Sequence, residues 1–138
     1  MIKQLILLVE DNPDDEALAI LALRENGFTS DIVVAHDGEE ALEILTGSKN
    51  IKIRPDLILL DLKLPKLSGI EVLKHIREQA ETKHTPVVML TTSLEDADIA
   101  NSYDNGANSY IRKPVNYNDF VEQLGYVIKY WFICNKAI

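Results

Sequence analysis

Cysteine is almost absent: the 138-residue chain carries one, Cys134. A single thiol excludes an intramolecular disulfide and a cysteine-rich metal site. Its apolar, aromatic neighbours in the tail suit packing better than redox chemistry. Long hydrophobic runs are also missing. Leu5-Ile6-Leu7-Leu8-Val9 is followed at once by Glu10, too short a run for a signal-peptide core or a spanning helix, so a cytoplasmic location and no membrane partner are expected. Positive charge is scarce, with 14 Lys and Arg against 22 Asp and Glu and a net charge of −8. No cluster of basic residues offers a face to a phosphate backbone, which argues against nucleic-acid binding. An acidic protein can still hold a cation or meet a basic partner. No internal repeat, low-complexity tract or linker rich in Pro, Gly or Ser divides the chain, and its length suits one domain with a real core.

What is present is an alternation of short apolar runs with helical periodicity, the pattern of a doubly wound sheet. Strand one is Leu5 to Val9, followed by the acidic loop Glu10-Asp11-Asn12-Pro13-Asp14-Asp15. The first helix shows Leu18, Leu21 and Ala22 at helical spacing and ends at Gly27. Strand two is Ile32 to Ala35. Asp37-Gly38-Glu39-Glu40 has the acid-x-x-Glu spacing of a helix start, and Gly47 closes the second helix. A polar connection, Ser48 to Pro55, leads into Asp56-Leu57-Ile58-Leu59-Leu60-Asp61, an apolar strand ending on a carboxylate before the turn at Pro65. Ser68-Gly69-Ile70-Glu71 repeats the capping-box spacing, with Val72, Leu73 and Ile76 on one face of the third helix. Strand four is Val87 to Leu90, helix four runs from about Glu95 to Asn105, and strand five is Ser109 to Arg112. The last helix starts near Asn116 to Asp119. Phe120, Leu124, Val127, Ile128 and Trp131 form a core-facing stripe, with Tyr126, Tyr130 and Phe132 on the other side. Two readings of those rings stand side by side: a patch for a partner or a twin subunit, or rings folded back on the core. The whole predicts an α/β, flavodoxin-like (βα)5 doubly wound parallel sheet of strand order 2-1-3-4-5.

In that order the carboxyl ends of strands one and three are neighbours, where open α/β sheets place their chemistry. Glu10-Asp11, Asp61, Thr91 and Lys113 each follow directly on an apolar run. Singly, each has a bland explanation: an acid at a strand end usually caps a helix, and a lone Thr or Lys is usually structural or solvated. Four strand ends aimed at one crevice are a constellation. Clustered carboxylates call for a hard cation such as Mg²⁺, and a cation there would screen an incoming phosphoryl group so that Asp61 could attack phosphorus. Lys113 and Thr91 suit the phosphoryl oxygens. Asp61 is the candidate nucleophile.

Taken together, Val9-Glu10-Asp11, Leu60-Asp61-Leu62-Lys63-Leu64-Pro65 with Gly69, Leu90-Thr91-Thr92, and Gly106-Ala107 through Tyr110 to Lys113-Pro114 resemble the receiver domain of two-component response regulators over essentially the whole length. The resemblance implies a phosphoacceptor signalling protein rather than an enzyme, one that helps to catalyse its own phosphorylation and dephosphorylation. Asp61 would take the phosphoryl group, and Asp11, Asp61 and the Lys63 backbone carbonyl would bind Mg²⁺. Glu10, where the family often has Asp, would reach the metal through water. Thr91 and Lys113 would contact the phosphoryl group, Tyr110 would be the aromatic switch, and the Lys113–Pro114 bond would be cis. Lys63 and Ser93 would tune access of water to the phosphoaspartate. The acidic first loop and aromatic last helix are most similar to the small stand-alone regulators that partner cyanobacterial phytochrome histidine kinases. The resemblance thus implies one receiver domain over 1–138 without an output domain, a cognate sensor histidine kinase, and output through a face made of helix four, strand five and helix five, by binding a downstream protein or by homodimerisation. His36, His75 and His84 have neither metal spacing nor nucleophile pairing, so the phosphohistidine donor belongs to another protein.

Three rivals fit less well. A flavin or nucleotide binder needs a phosphate-cradling loop rich in Ser, Thr or Gly after strand one, where this chain is acidic. An aspartate-dependent phosphatase generally has a second acid two positions after the nucleophile, where this chain has Lys63. A receiver-like module that is never phosphorylated would lack Asp61, Thr91 or Lys113, and all are present.

Overall fold

A strand that is apolar on both sides has no face to leave in water, so it belongs in the middle of a parallel sheet covered by helices. The computed structural model, which describes residues 4–137, places β1 (Leu5–Val9), β3 (Leu57–Leu60) and β4 (Val87–Thr91) there, all but Leu5 buried. The less apolar β2 (Asp31–Ala35) and β5 (Ser109–Arg112) form the edges. The order is β2-β1-β3-β4-β5, every pairing parallel, as predicted.

Strand side chains alternate between two cores. Ile6, Leu8, Leu57, Leu59, Val88 and Leu90 pack under α1 (Pro13–Glu25) and α5 (Tyr117–Lys129), while Leu7, Val9, Ile58, Leu60, Val87 and Met89 pack under α2 (Gly38–Thr46) and α3 (Gly69–Glu78). The remaining helix, α4 (Asp96–Asp104), lies against β5 and fully buries only Ser102. The caps at Asp37 and Ser68 follow the sequence, while α1 begins at Pro13, inside the stretch read as a loop, with Asn12 as its cap. Asn12 accepts from the Asp14 and Asp15 amides, Asp37 from Glu40, and Ser68 and Glu71 form a reciprocal capping box. Gly47 closes α2 in the left-handed conformation at φ 79°.

Three expectations need correction. First, α1 turns a different face to the sheet: Ala19, Ala22 and Leu23 are buried, whereas Leu18 and Leu21 are 43% and 50% exposed. Small residues let α1 and α5 come close enough for Asn26 to donate from its side chain to the Val121 carbonyl at 2.7 Å. At Gly125 a Cβ would collide with that same Asn26 side chain. Second, Phe132 does not share the open side of the last helix. After α5 the chain widens into a single π-turn, Tyr130–Cys134, which turns Phe132 back onto Phe28 with ring centroids 5.3 Å apart. Third, the Lys113–Pro114 bond is trans, since no cis peptide occurs among the described residues.

Register then sets the crevice. Val9 pairs with Leu60 and Thr91 with Arg112, so Glu10 and Asp61 leave adjacent strands at the same level. The Asp61 amide donates to Val9 O at 3.1 Å, Glu10 to Ala35 O at 3.0 Å and Lys113 to Thr91 O at 2.7 Å. The loop after Asp61 is tied down by the Gly69 amide, which donates to Leu62 O at 2.8 Å. A Cβ at Gly69 would overlap the Asp61 carbonyl oxygen and lie 2.8 Å from Leu62 Cα. Helix propensity alone would make Gly69→Ala favourable by up to about 1 kcal/mol. The backbone collision reverses the sign: Gly69→Ala is expected to destabilise the fold by about 1–3 kcal/mol, seen in urea as a lower midpoint at unchanged m-value.

Candidate functional site at the strand ends

Carboxylate oxygens of Glu10, Asp11 and Asp61 lie within 4.8 Å of one another. Glu10 is buried, Asp61 half-buried and Asp11 exposed, so the cluster opens to solvent on the Asp11 side. Among the described residues one cation reaches it. Lys113 Nζ stands 2.9 Å from Glu10 Oε2, 3.3 Å from Asp15 Oδ2 and 3.6 Å from Asp61 Oδ2. Glu10 Oε1 is buried and has no hydrogen-bond partner, a costly position for a carboxylate oxygen. A group of hard oxygen ligands with an unsatisfied member and too little positive charge is what a divalent cation with retained waters relieves. The residues present fit such a cation.

The electrostatics carry the same imbalance. Burial pushes the Glu10 carboxyl up to about 7; the Asp61 charge adds to the effect and Lys113 only partly offsets it. Burial alone would lower the Lys113 ammonium, yet Asp61, Glu10 and Asp15 together raise it above its ordinary value. Lys113 therefore stays charged while Glu10 is the group that gives way.

Thr91 closes the crevice from β4. It is buried, and its hydroxyl oxygen accepts the Ser93 amide at 3.3 Å. Ser93 is a junction that the sequence did not reveal. Its hydroxyl donates to Asp98 Oδ2 at 2.6 Å and accepts the Glu95 amide, while its carbonyl accepts the Tyr110 hydroxyl at 2.9 Å. Two hydrogen bonds thus connect Thr91 to Tyr110, through the backbone of one residue. Burial is the main reason the Tyr110 phenol is raised, against the hydrogen bond to Ser93. Tyr110 borders a surface groove of ≈ 400 Å³ that Arg112, Gln123, Tyr126, Tyr130 and Trp131 also line. Tyr126 and Tyr130 remain exposed there, so the two readings of the aromatic helix divide: Phe132 folds back and these two tyrosines do not.

All the candidate side chains except Lys63 come together or connect through Ser93. Lys63 is exposed and two residues beyond Asp61. Asp15 is the residue the sequence did not single out. Its signal, an acid in the first helical turn, is that of ordinary helix-dipole complementarity, and nothing local points to a lysine 98 positions away.

This architecture and strand-end chemistry define a class, and residues 6–125 match the response regulator receiver domain. The chain belongs to that family and is a signalling protein of two-component systems. Within the family it is similar to Rcp1 of Synechocystis, 36% identical over 130 residues, 93% of this chain and 88% of the relative. FilR2 of Methanothrix harundinacea is 38% identical over 137 residues, 96% and 86% of the two chains. Among solved structures, the phosphorylated cyanobacterial phytochrome response regulator RcpA superposes with a TM-score of 0.91 at 37% identity, covering 98% of both chains. The Mn²⁺-bound form of Rcp1 superposes at 0.88 with 34% identity, covering 98% of this chain and 99% of that one. No helix among the described residues is long and apolar enough to cross a membrane.

A pH signature follows from Glu10. Its carboxyl titrates higher in the fold than the ordinary value of 4.5, so the folded state holds the proton more tightly than the unfolded chain. The stability this gives is complete below pH 4.5 and is lost as pH rises through about 7. Glu10→Gln is expected to remove that slope, leaving the metal-free variant more stable than wild type by on the order of 1–3 kcal/mol at pH 8. Urea unfolding of both proteins in EDTA from pH 4.5 to 8 checks this; parallel profiles would refute it.

Proposed function

We propose that the protein is a phosphoacceptor of a two-component phosphorelay, and that Asp61 receives the phosphoryl group from a histidine kinase. The observation that carries the reading is the approach of the Glu10, Asp11 and Asp61 carboxylates to within 4.8 Å with the Lys113 ammonium at their edge. A Asp61 carboxylate oxygen forms the new P–O bond in line with the leaving group. The P–N bond of the phosphohistidine breaks, and its electron pair departs with the imidazole. Lys113 neutralises one phosphoryl oxygen and Thr91 donates its hydroxyl proton in a hydrogen bond to another. Mg²⁺ would be held by Asp11, Asp61 and the Lys63 carbonyl, with Glu10 acting through water; when bound it supplies charge screening at the phosphoryl group.

The histidine kinase is read as a phytochrome-type sensor because of the similarity to Rcp1 and RcpA. The output surface is the face of α4, β5 and α5. Drawing Thr91 toward a phosphoryl oxygen pulls on the Ser93 amide, and so on the Tyr110 hydroxyl at the edge of the aromatic groove. The sparse burial of α4 makes this the side of the domain with least packing to oppose a shift.

Incubation with acetyl phosphate and Mg²⁺ is expected to add one phosphate by intact mass, with acetate as the leaving group. Asp61→Asn should take up none, and EDTA should stop the reaction in wild type; phosphate on the Asn variant would sink the nucleophile assignment. For the output face, sedimentation and Tyr110 resonances are expected to change on adding beryllofluoride and Mg²⁺. If neither the mass in solution nor Tyr110 changes, the proposed face is wrong even where phosphorylation occurs.

A further inference from the structure

The Lys113 ammonium is held by one carboxylate more than the phosphoacceptor reading requires. It has three N–H donors. Two are committed, to Glu10 Oε2 at 2.9 Å and to Asp15 Oδ2 at 3.3 Å. The third carboxylate, Asp61 Oδ2, stays at 3.6 Å, within ion-pair range but outside hydrogen-bond range. We propose that Asp15 is a positioning residue: it holds the ammonium back from Asp61, so that the attacking carboxylate is not hydrogen-bonded to Lys113 at rest while one N–H stays free for a phosphoryl oxygen. The proposal rests on the reading of Asp61 as phosphoacceptor.

A lysine side chain is a compact charge on a flexible stem, and Asp61 alone would draw it into a closer pair. Glu10 cannot prevent this alone, because one anchor leaves the ammonium free to swing about it. A second anchor on another element removes that freedom. Asp15 is well placed because its own position is set: its amide donates to Asn12 Oδ1 at 3.0 Å, within the capped first turn of α1. Lys113 is held at its other end by the hydrogen bond that its backbone N–H donates to Thr91 O at 2.7 Å. The side chain thus spans a short distance between fixed points. The Lys113 side chain is 11% exposed and that of Glu10 3%, so water competes only weakly at the Glu10 anchor, while the Asp15 side chain lies nearer the surface. Asp14, in the same turn, makes no contact with Lys113, so it carries the same charge for the helix without the same contact.

Asp15→Ala and Asp14→Ala separate positioning from helix charge, and Asp15→Asn separates the hydrogen-bond acceptor from the charge. In metal-free protein, the Lys113 ammonium cross-peak in ¹⁵N spectra is expected to persist in wild type, Asp14→Ala and Asp15→Asn and to broaden in Asp15→Ala as solvent exchange speeds up. With acetyl phosphate and Mg²⁺, Asp15→Ala should be phosphorylated roughly tenfold more slowly than wild type, Asp14→Ala within twofold, and Asp15→Asn between them. The Asp15→Ala effect should vanish in a Lys113→Ala background, read as affinity for beryllofluoride with Mg²⁺ by calorimetry. A rate within twofold of wild type for Asp15→Ala, an equal loss in Asp14→Ala, or an undiminished loss without Lys113 would each overturn the proposal. Failure of wild type itself to take up phosphate would instead overturn the phosphoacceptor reading.

Discussion

The structure turns on a charge imbalance at the carboxyl ends of its central strands. Three carboxylates meet within 4.8 Å, and among the described residues one ammonium, shared also with Asp15, is all that answers them. Such a cluster is unfavourable at rest: Glu10 responds with a carboxyl pushed up to about 7 and one buried oxygen without a partner. It persists because the sheet beneath it leaves no alternative. Val9 and Leu60 are locked in register and fully buried, so the residues that follow them must emerge side by side. The two hydrophobic cores supply the stability that the site withholds, a distribution expected where function requires an unsatisfied group.

An unsatisfied site is also a responsive one. The groups short of positive charge are those that a divalent cation and a phosphoryl group engage on the phosphoacceptor reading, and the connection outward is short. Thr91 holds the Ser93 amide, Ser93 holds the Tyr110 hydroxyl by its carbonyl, and the Ser93 hydroxyl grips Asp98 in the first turn of α4. These hydrogen bonds link Thr91 to both α4 and β5. The rest of the domain resists: α1 and α5 are stapled by Asn26, and Arg77 at the end of α3 donates to the carbonyls of Thr82, Lys83, Thr85 and Gly106 and to Asn108 Oδ1.

Local signals were legible where a short stretch decides the outcome by itself. Asp37 and Ser68 cap their helices as their spacing predicts, because a side-chain oxygen three residues away is within reach. The LILL run of β3 had to be central because both its faces are apolar. Periodicity was weaker evidence on α1, where leucine outranks alanine in hydrophobicity but the neighbouring α5 is too close for it, so Leu18 and Leu21 face outward and Ala19 goes in. The rings after α5 were ambiguous for a similar reason. Nothing in Tyr130-Trp131-Phe132 foretells a π-turn, and that turn decides that Phe132 meets Phe28 while Tyr130 stays exposed.

By itself the sequence determined the strand order, the number and sequence of the elements and which polar residues end which strands, because these depend on residue type and on spacing along the chain. Only the tertiary structure decided how those polar groups share their charges. That Lys113 pairs with Asp15, 98 residues away, and that it stands 3.6 Å from Asp61 are outcomes of register and helix packing. Coulomb interactions depend on distance through space, and distance along the chain does not encode it.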